Sequence, residues 1–139
     1  MNELQLKMCD IQGRLFELSA DGNYGSANFV KTFMTSEVAK ALDSTYNRMQ
    51  WAGEEYLLEE LADIVGDKLS KEGEIFSRDI LYWMGYLYRY WHYYTNEDSA
   101  KIYKQAPAAT MKRNYLMFHT MAPELAIEDL KEIYKQKRV

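Results

Sequence analysis

Residues 79–94 read DILYWMGYLYRYWHYY, and this stretch decides the fold that the sequence predicts. It holds six of the twelve tyrosines and two of the three tryptophans. The run is too long for a typical strand and contains no proline, so we predict a helix over about 78–94. Because apolar and aromatic side chains surround this helix on every side, we expect it to be buried at the centre of the domain.

A narrow polar column interrupts the aromatic helix. At about 100° per residue, Arg78, Gly85, Arg89 and His92 fall between its two apolar faces. A second predicted helix places Glu54 inside its own apolar arc, where an unpaired carboxylate would be costly. We therefore predict a buried polar cluster of Glu54, Arg89 and His92. It is either a ligand pocket, with Arg89 binding an anion and His92 transferring protons, or a structural salt bridge, which the sequence favours.

The apolar spacing elsewhere in the chain also predicts helices. Leu4, Met8, Ile11, Leu15 and Leu18 step by four and three residues, which places them on one helix face. No window shows the sustained alternation of a strand. A chain of 139 residues, 47% of them hydrophobic, suffices for one core. We therefore predict a single all-α domain over 1–139, a compact bundle of about six to eight helices around the central aromatic-rich helix.

The overall composition excludes several kinds of site. The net charge is −4, and residues 1–69 carry 6 basic and 12 acidic groups, which disfavours a nucleic-acid surface. Cys9 is the one cysteine, and the two histidines lack a Glu-x-x-His motif, so we expect no metal and no cofactor. No apolar run approaches the roughly 18 residues of a membrane span. The first residues lack a signal peptide's apolar run, which predicts a cytoplasmic protein that does not bind membranes.

The predicted helix over 51–65 offers a surface for a partner. Glu55, Glu59 and Asp63, together with Arg48, lie opposite its apolar arc and form an acidic, solvated stripe. Such a stripe suits a protein partner with complementary charge. The sequence leaves homo-oligomerisation open.

Residues 35–50 resemble a helix–turn–helix, with a capped first helix, a break near Asp43 and a second helix. That second helix would offer Asn47, Arg48 and Gln50 as base-reading side chains. The acidic residues that follow make two packed short helices, without DNA, the better interpretation.

A ribonuclease motif is the main enzymatic alternative. The run RNYLMFH at 113–119 resembles the arginine–x(4–6)–histidine motif of HEPN-family ribonucleases, which are small all-helical proteins. The resemblance implies that Arg113 and His119 act on RNA at a dimer cleft. On one helix these two side chains point about 120° apart, and His119 shares the face of Tyr115 and Met111. The spacing therefore favours a core histidine over a catalytic one.

Three further runs carry a second resemblance: FVKTFMTSEVAKALDSTYNRMQWAGEEYLLEELAD at 29–63, LYWMGYLYRYWHYYT at 81–95 and FHTMAPELAIEDLKEIY at 118–134. They resemble a group of small all-helical bacterial proteins associated with toxin–antitoxin gene clusters, including clusters with ADP-ribosyltransferase-like toxins. The group implies no site residues. It does imply an interaction role, with a toxin as one candidate partner. We therefore expect a non-enzymatic interaction module that is antitoxin-like or an accessory component of a toxin–antitoxin or defence system.

Overall fold

Eight α-helices account for most of the part of the chain that the computed structural model describes, residues 1–45 and 47–137. Two short 3-10 turns flank the fourth helix, at Arg48–Trp51 and Gly66–Lys68, and no strand occurs in these ranges. The all-α prediction is therefore confirmed. The helices are α1 (Glu3–Asp21), α2 (Ser26–Met34), α3 (Glu37–Asp43), α4 (Glu54–Val65), α5 (Arg78–Thr95), α6 (Ser99–Gln105), α7 (Ala108–Phe118) and α8 (Pro123–Lys137).

The central helix begins and ends where local chemistry requires. The Ser77 hydroxyl accepts a hydrogen bond from the Ile80 N–H and caps the first turn of α5. At the other end, Asn96 adopts a left-handed conformation with φ of 64°, which ends the helix. The predicted helix over about 78–94 therefore matches the observed one.

Helices α1 and α5 form the main packing pair. Arg78 at the start of α5 pairs with Asp21 at the end of α1. Further along α5, Gly85 and Arg89 form hydrogen bonds with Gln12, which lies earlier in α1. The two helices therefore run antiparallel. Glycine allows the close approach. A Cβ atom at Gly85 would lie 2.5 Å from the Gln12 carbonyl oxygen. The polar column of the sequence thus faces α1.

Only one side of α5 is fully buried. The apolar face that the sequence predicted is buried at Leu81, Met84, Leu87, Tyr88 and Trp91. The expectation of burial on every side was wrong.

The other side of α5 is a row of half-buried tyrosines at the surface. Their hydroxyls donate to carboxylates of neighbouring helices: Tyr82 to Asp10 of α1 at 2.5 Å, and Tyr90 to Glu124 of α8 at 2.9 Å. These bonds let Tyr82 and Tyr90 remain partly open to solvent, because each of these two hydroxyls has a partner.

The segment 69–77 is fixed against the start of α2. The Ser26 hydroxyl accepts from the Phe76 N–H at 2.8 Å, and Asn28 Oδ1 accepts from the Ser70 N–H at 2.8 Å. No helix in the described part of the chain is long and apolar enough to cross a membrane.

Candidate functional site

A buried arginine lies at the centre of the polar column. The Arg89 side chain is 0% exposed, and each of its nitrogens donates to a different residue. Nε donates to Gln12 Oε1 at 2.8 Å, Nη1 to Asp43 Oδ1 at 2.7 Å, and Nη2 to Ser99 Oγ at 3.3 Å. One guanidinium therefore connects α5 with α1, α3 and α6.

The carboxylate of this cluster is itself held from two sides. Asp43 Oδ2 accepts from the Ser99 N–H at 2.8 Å, and Oδ1 accepts from the Ser99 hydroxyl at 2.8 Å. His92 lies next to it, with Nδ1 3.6 Å from Asp43 Oδ1. That nitrogen donates to the Glu97 carbonyl at 2.7 Å, because a carbonyl oxygen can only accept.

The predicted cluster therefore has the wrong carboxylate. Arg89 and His92 do come together, but around Asp43 and not around Glu54. Glu54 is the first residue of α4, where it is half-buried and shares a groove with Lys7 and Arg14. At a helix N-terminus the helix dipole favours a carboxylate and solvent can reach it, so Glu54 needs no buried partner.

The geometry of the Arg89 cluster favours a structural tie between helices over an open ligand pocket. No buried side-chain nitrogen or oxygen in the described part of the chain lacks a hydrogen-bond partner. Each of the three guanidinium nitrogens already donates to a protein acceptor, and the side chain is 0% exposed, so an anion in solvent cannot reach it. Sequence reasoning missed Gln12, Asp43 and Ser99, because each lies at a position that reads as an ordinary surface or turn residue.

A second polar network surrounds Glu97, between α5, α6 and α8. The Glu97 carboxylate accepts from Trp91 Nε1 at 3.0 Å, Gln105 Nε2 at 2.9 Å and Lys131 Nζ at 2.6 Å. Burial alone would raise the pKa of this carboxyl. The hydrogen bonds from Lys131, Trp91 and Gln105 outweigh burial and lower the pKa to about 2.

The three carboxylates of the predicted acidic stripe lie on the outer face of α4, whereas Arg48 lies outside this helix in the preceding 3-10 turn. Glu55, Glu59 and Asp63 are all exposed, and none makes an ion pair with another described residue. Tyr56, which is 47% exposed, lies within the same face. We call these four residues the acidic face.

Exposed apolar side chains lie at both ends of the acidic face. Trp51 is 78% exposed beside the start of α4, and Ile64 is 47% exposed near its end. Each borders a groove, of about 280 Å³ at Trp51 and about 510 Å³ at Ile64. Arg48 is exposed in the 3-10 turn that carries Trp51. Large exposed apolar groups rimmed by charge are typical of protein-binding surfaces.

The described part of the chain contains the first helix of the predicted helix–turn–helix but not the second. Ser36 caps α3 through the Ala39 N–H, as expected of a capped first helix. The second segment is a four-residue 3-10 turn, too short for a recognition helix, and Tyr46 lies outside the described residues. The side chains of Asn47 and Gln50 bond to the Met49 N–H and the Ser44 carbonyl. Two of the three predicted base readers are thus engaged within the chain.

Arg113 and His119 do not come together within one chain. Both are exposed on α7 or at its end, but they line different grooves. His119 Nδ1 donates to the Tyr115 carbonyl at 2.8 Å, and its ring stacks on the Tyr115 ring with centroids 4.4 Å apart. The expectation of a core histidine was wrong, because His119 follows the last turn of α7 and projects from the surface.

Comparison of the chain with protein-family models, curated proteins and solved structures found no match.

Proposed function

We propose that this chain is a non-enzymatic protein-interaction module that binds a basic partner protein through the acidic face of α4. In a toxin–antitoxin or defence system it would be an antitoxin-like or accessory component, and a toxin is the candidate partner. The observation that carries the proposal is the combination of three exposed carboxylates, which form no ion pair with any described residue, and an adjacent tryptophan that is 78% exposed.

The arrangement of the face supports a protein partner in particular. Exposed tryptophan and tyrosine side chains bury a large area on binding and often dominate the energy of an interface. Trp51 and Tyr56 supply that area, while Glu55, Glu59 and Asp63 supply charge that steers a basic surface into place. The same carboxylates would repel nucleic-acid phosphates.

The decisive experiment reverses the charge of the acidic face. Tagged wild-type protein and a Glu55→Lys/Glu59→Lys/Asp63→Lys variant are used to capture partners from the native host, and the captured protein is then purified. We expect the variant to bind that protein at least about tenfold more weakly while it remains folded, with only a small change in melting temperature, since exposed charges contribute little to stability.

A matched control reverses three exposed carboxylates elsewhere, Glu72, Asp129 and Glu132. This variant should bind the partner as the wild type does. If both triple variants lose the partner equally, net charge and not the acidic face explains binding, and the proposal fails. Recovery of RNA in place of protein would direct attention to the ribonuclease alternative and to cleavage assays with His119→Ala and Arg113→Ala.

The toxin–antitoxin setting has its own test. A captured partner that stops growth when expressed alone, and is neutralised by co-expression of this chain, supports an antitoxin-like role. Neutralisation should disappear with the α4 triple variant and persist with the control variant. A partner that is harmless alone would be consistent with an interaction module but would contradict the antitoxin-like role.

A further inference from the structure

A groove of about 390 Å³ lies where the surface side of α5 meets α1 and the end of α7. We call it the aromatic groove. Helix α5 contributes Asp79, Tyr82, Trp83 and Tyr86. Their i, i+3, i+4, i+7 spacing places them on one face of the helix. Three aromatic rings therefore lie along the groove next to one carboxylate.

The second wall is aromatic as well and is held in place by ring contacts. Tyr115 and His119 of α7 line the groove opposite the α5 residues. The Tyr115 ring meets the Trp83 ring edge-on, with centroids 5.6 Å apart, and the His119 ring stacks on Tyr115. The hydrogen bond from His119 Nδ1 to the Tyr115 carbonyl fixes the imidazole. This wall is formed before any ligand enters.

The charge of the groove is negative. Glu17 of α1 and Asp79 are its two charged lining residues, and none of the described lining residues is lysine or arginine. Arg78 is 3.6 Å from Glu17 and also pairs with Asp21, whereas Asp79 has no ion-pair partner in the described part of the chain. The Tyr82 hydroxyl donates to Asp10, which makes its ring a better electron donor.

We propose that the aromatic groove binds a methylated ammonium cation. The negative face of each aromatic ring attracts a cation, and this attraction is strongest for cations that give up their water readily. A methylated ammonium group loses water more easily than a primary ammonium. Asp79, which has no ion-pair partner in the described part of the chain, adds the opposite charge at the edge of the groove. An anionic ligand such as a phosphate would meet this carboxylate, and none of the described lining residues is a lysine or arginine.

This site is independent of the acidic face, since no residue that lines the aromatic groove belongs to α4. Loss of partner binding through α4 would leave the aromatic groove intact. Loss of ligand binding in the groove would likewise leave the acidic face intact. The two proposals can therefore fail separately.

The test compares choline with its neutral isostere, 3,3-dimethylbutan-1-ol. The two molecules have the same shape and differ in the charge of the central atom. Binding is followed through the NMR signal of the Trp83 indole N–H and the neighbouring amides. We expect choline to give saturable shifts at the groove and the neutral isostere to give none. Saturation by both ligands with equal affinity would overturn the proposal, as would the absence of saturable shifts with choline.

Variants then assign the binding to the groove. Asp79→Asn removes the unpaired carboxylate, and Tyr115→Leu removes the central ring of the second wall. Each substitution should lower the affinity for choline at least about tenfold, while the far-UV circular dichroism spectrum and the melting curve show a folded protein. Asp63→Asn and Tyr56→Leu, which make the same changes on α4, serve as matched controls and should leave the affinity unchanged. Unchanged affinity in Asp79→Asn and Tyr115→Leu would place the binding elsewhere and overturn the proposal.

The methylated ammonium group belongs either to a free small molecule or to a modified lysine side chain. A peptide that carries trimethyllysine, compared with the same peptide carrying lysine, separates the two sources. Tighter binding of the trimethylated peptide than of choline assigns the groove to a modified side chain, and the reverse assigns it to a free cation. In both cases the unmethylated peptide should bind more weakly than its trimethylated form.

Discussion

Arg89 and Asp43 tie the centre of α5 to the end of α3, with Nη1 2.7 Å from Oδ1 and an arginine side chain that is 0% exposed. The two residues lie on different elements, and Ser99 of α6 closes the arrangement by donating to both carboxylate oxygens of Asp43. A buried pair of this kind is costly to break, because removal of one partner leaves the other charge buried without compensation.

Single substitution of either partner should therefore destabilise the fold. We expect Arg89→Leu or Asp43→Leu to lower the free energy of unfolding by about 3–5 kcal/mol, measured by urea denaturation. The double variant should lose less than the sum of the two, because neither charge is then left alone.

Glu54 provides the matched control for this pair. It is half-buried at the start of α4 and makes no ion pair with Arg89. Glu54→Leu should therefore leave the unfolding curve close to that of the wild type. A loss as large as that of Asp43→Leu would show that Glu54 compensates a buried charge after all.

Gly85 should not tolerate even one methyl group. A Cβ atom there would lie 2.5 Å from the Gln12 carbonyl oxygen and 2.9 Å from the Gly13 Cα, so α1 and α5 would have to move apart. We expect Gly85→Ala to destabilise the protein by about 1–3 kcal/mol in thermal or urea denaturation. Gly53→Ala is the control, because its Cβ would meet no atom closer than 3.7 Å. Equal stability of the two variants would contradict the close packing of α1 and α5.

Glu97 should make the fold sensitive to acid. Its pKa is lowered to about 2 from the ordinary glutamate value of 4.5, so it contributes stability above pH 4.5 that is lost as the pH falls towards 2. Glu97→Gln keeps the shape of the side chain but removes this titration. We expect the stability difference between the wild type and the variant to be constant near neutral pH and to shrink between pH 4.5 and 2.

The control for the acid prediction is Glu55→Gln, which changes an exposed carboxylate that forms no ion pair within residues 1–45 and 47–137. Its stability difference from the wild type should stay small throughout the titration. If Glu97→Gln shows the same flat difference, the hydrogen bonds from Lys131, Trp91 and Gln105 do not stabilise the charged form.

The Cys9 thiol should be unreactive in the folded protein. The residue is 0% exposed, and burial raises the pKa of its thiol to about 12, against a smaller lowering by Arg89. Because the thiolate is the reactive form, we expect no reaction with Ellman's reagent under native conditions and full reaction in denaturant. Rapid stoichiometric labelling of the native protein would show that the α1–α5 interface opens.

The three tryptophans should differ in their access to solvent. Trp51 is 78% exposed, Trp83 is half-buried and Trp91 is 0% exposed. We expect Trp51→Phe to remove most of the fluorescence that acrylamide quenches, and Trp83→Phe, the control, to remove less. Binding of a partner at the acidic face should protect the Trp51 signal in the wild type.

Much of the local structure could be predicted from the sequence alone. Apolar spacing gives helix faces, so the buried residues Leu81, Met84 and Trp91 of α5 were predictable. Caps and prolines mark helix ends, which is why Ser77 and Pro123 stand where α5 and α8 begin. These signals are local, since each depends on residues within a turn or two of one another.

Only the tertiary structure decided which polar groups meet. Periodicity shows that Arg89 faces inward but not which carboxylate faces it, and Asp43 is 46 positions away in the chain. The solvent-facing side of α5 could not be predicted from the sequence for a related reason. A tyrosine reads as an apolar core residue in a helical pattern, yet Tyr82 and Tyr90 stay half-exposed because Asp10 and Glu124 arrive from other helices to accept their hydroxyl hydrogens. Sequence determines the faces of each helix through local spacing. The partners of those faces depend on how distant helices pack, because hydrogen bonds and ion pairs form only between groups that the complete fold brings within about 3 Å.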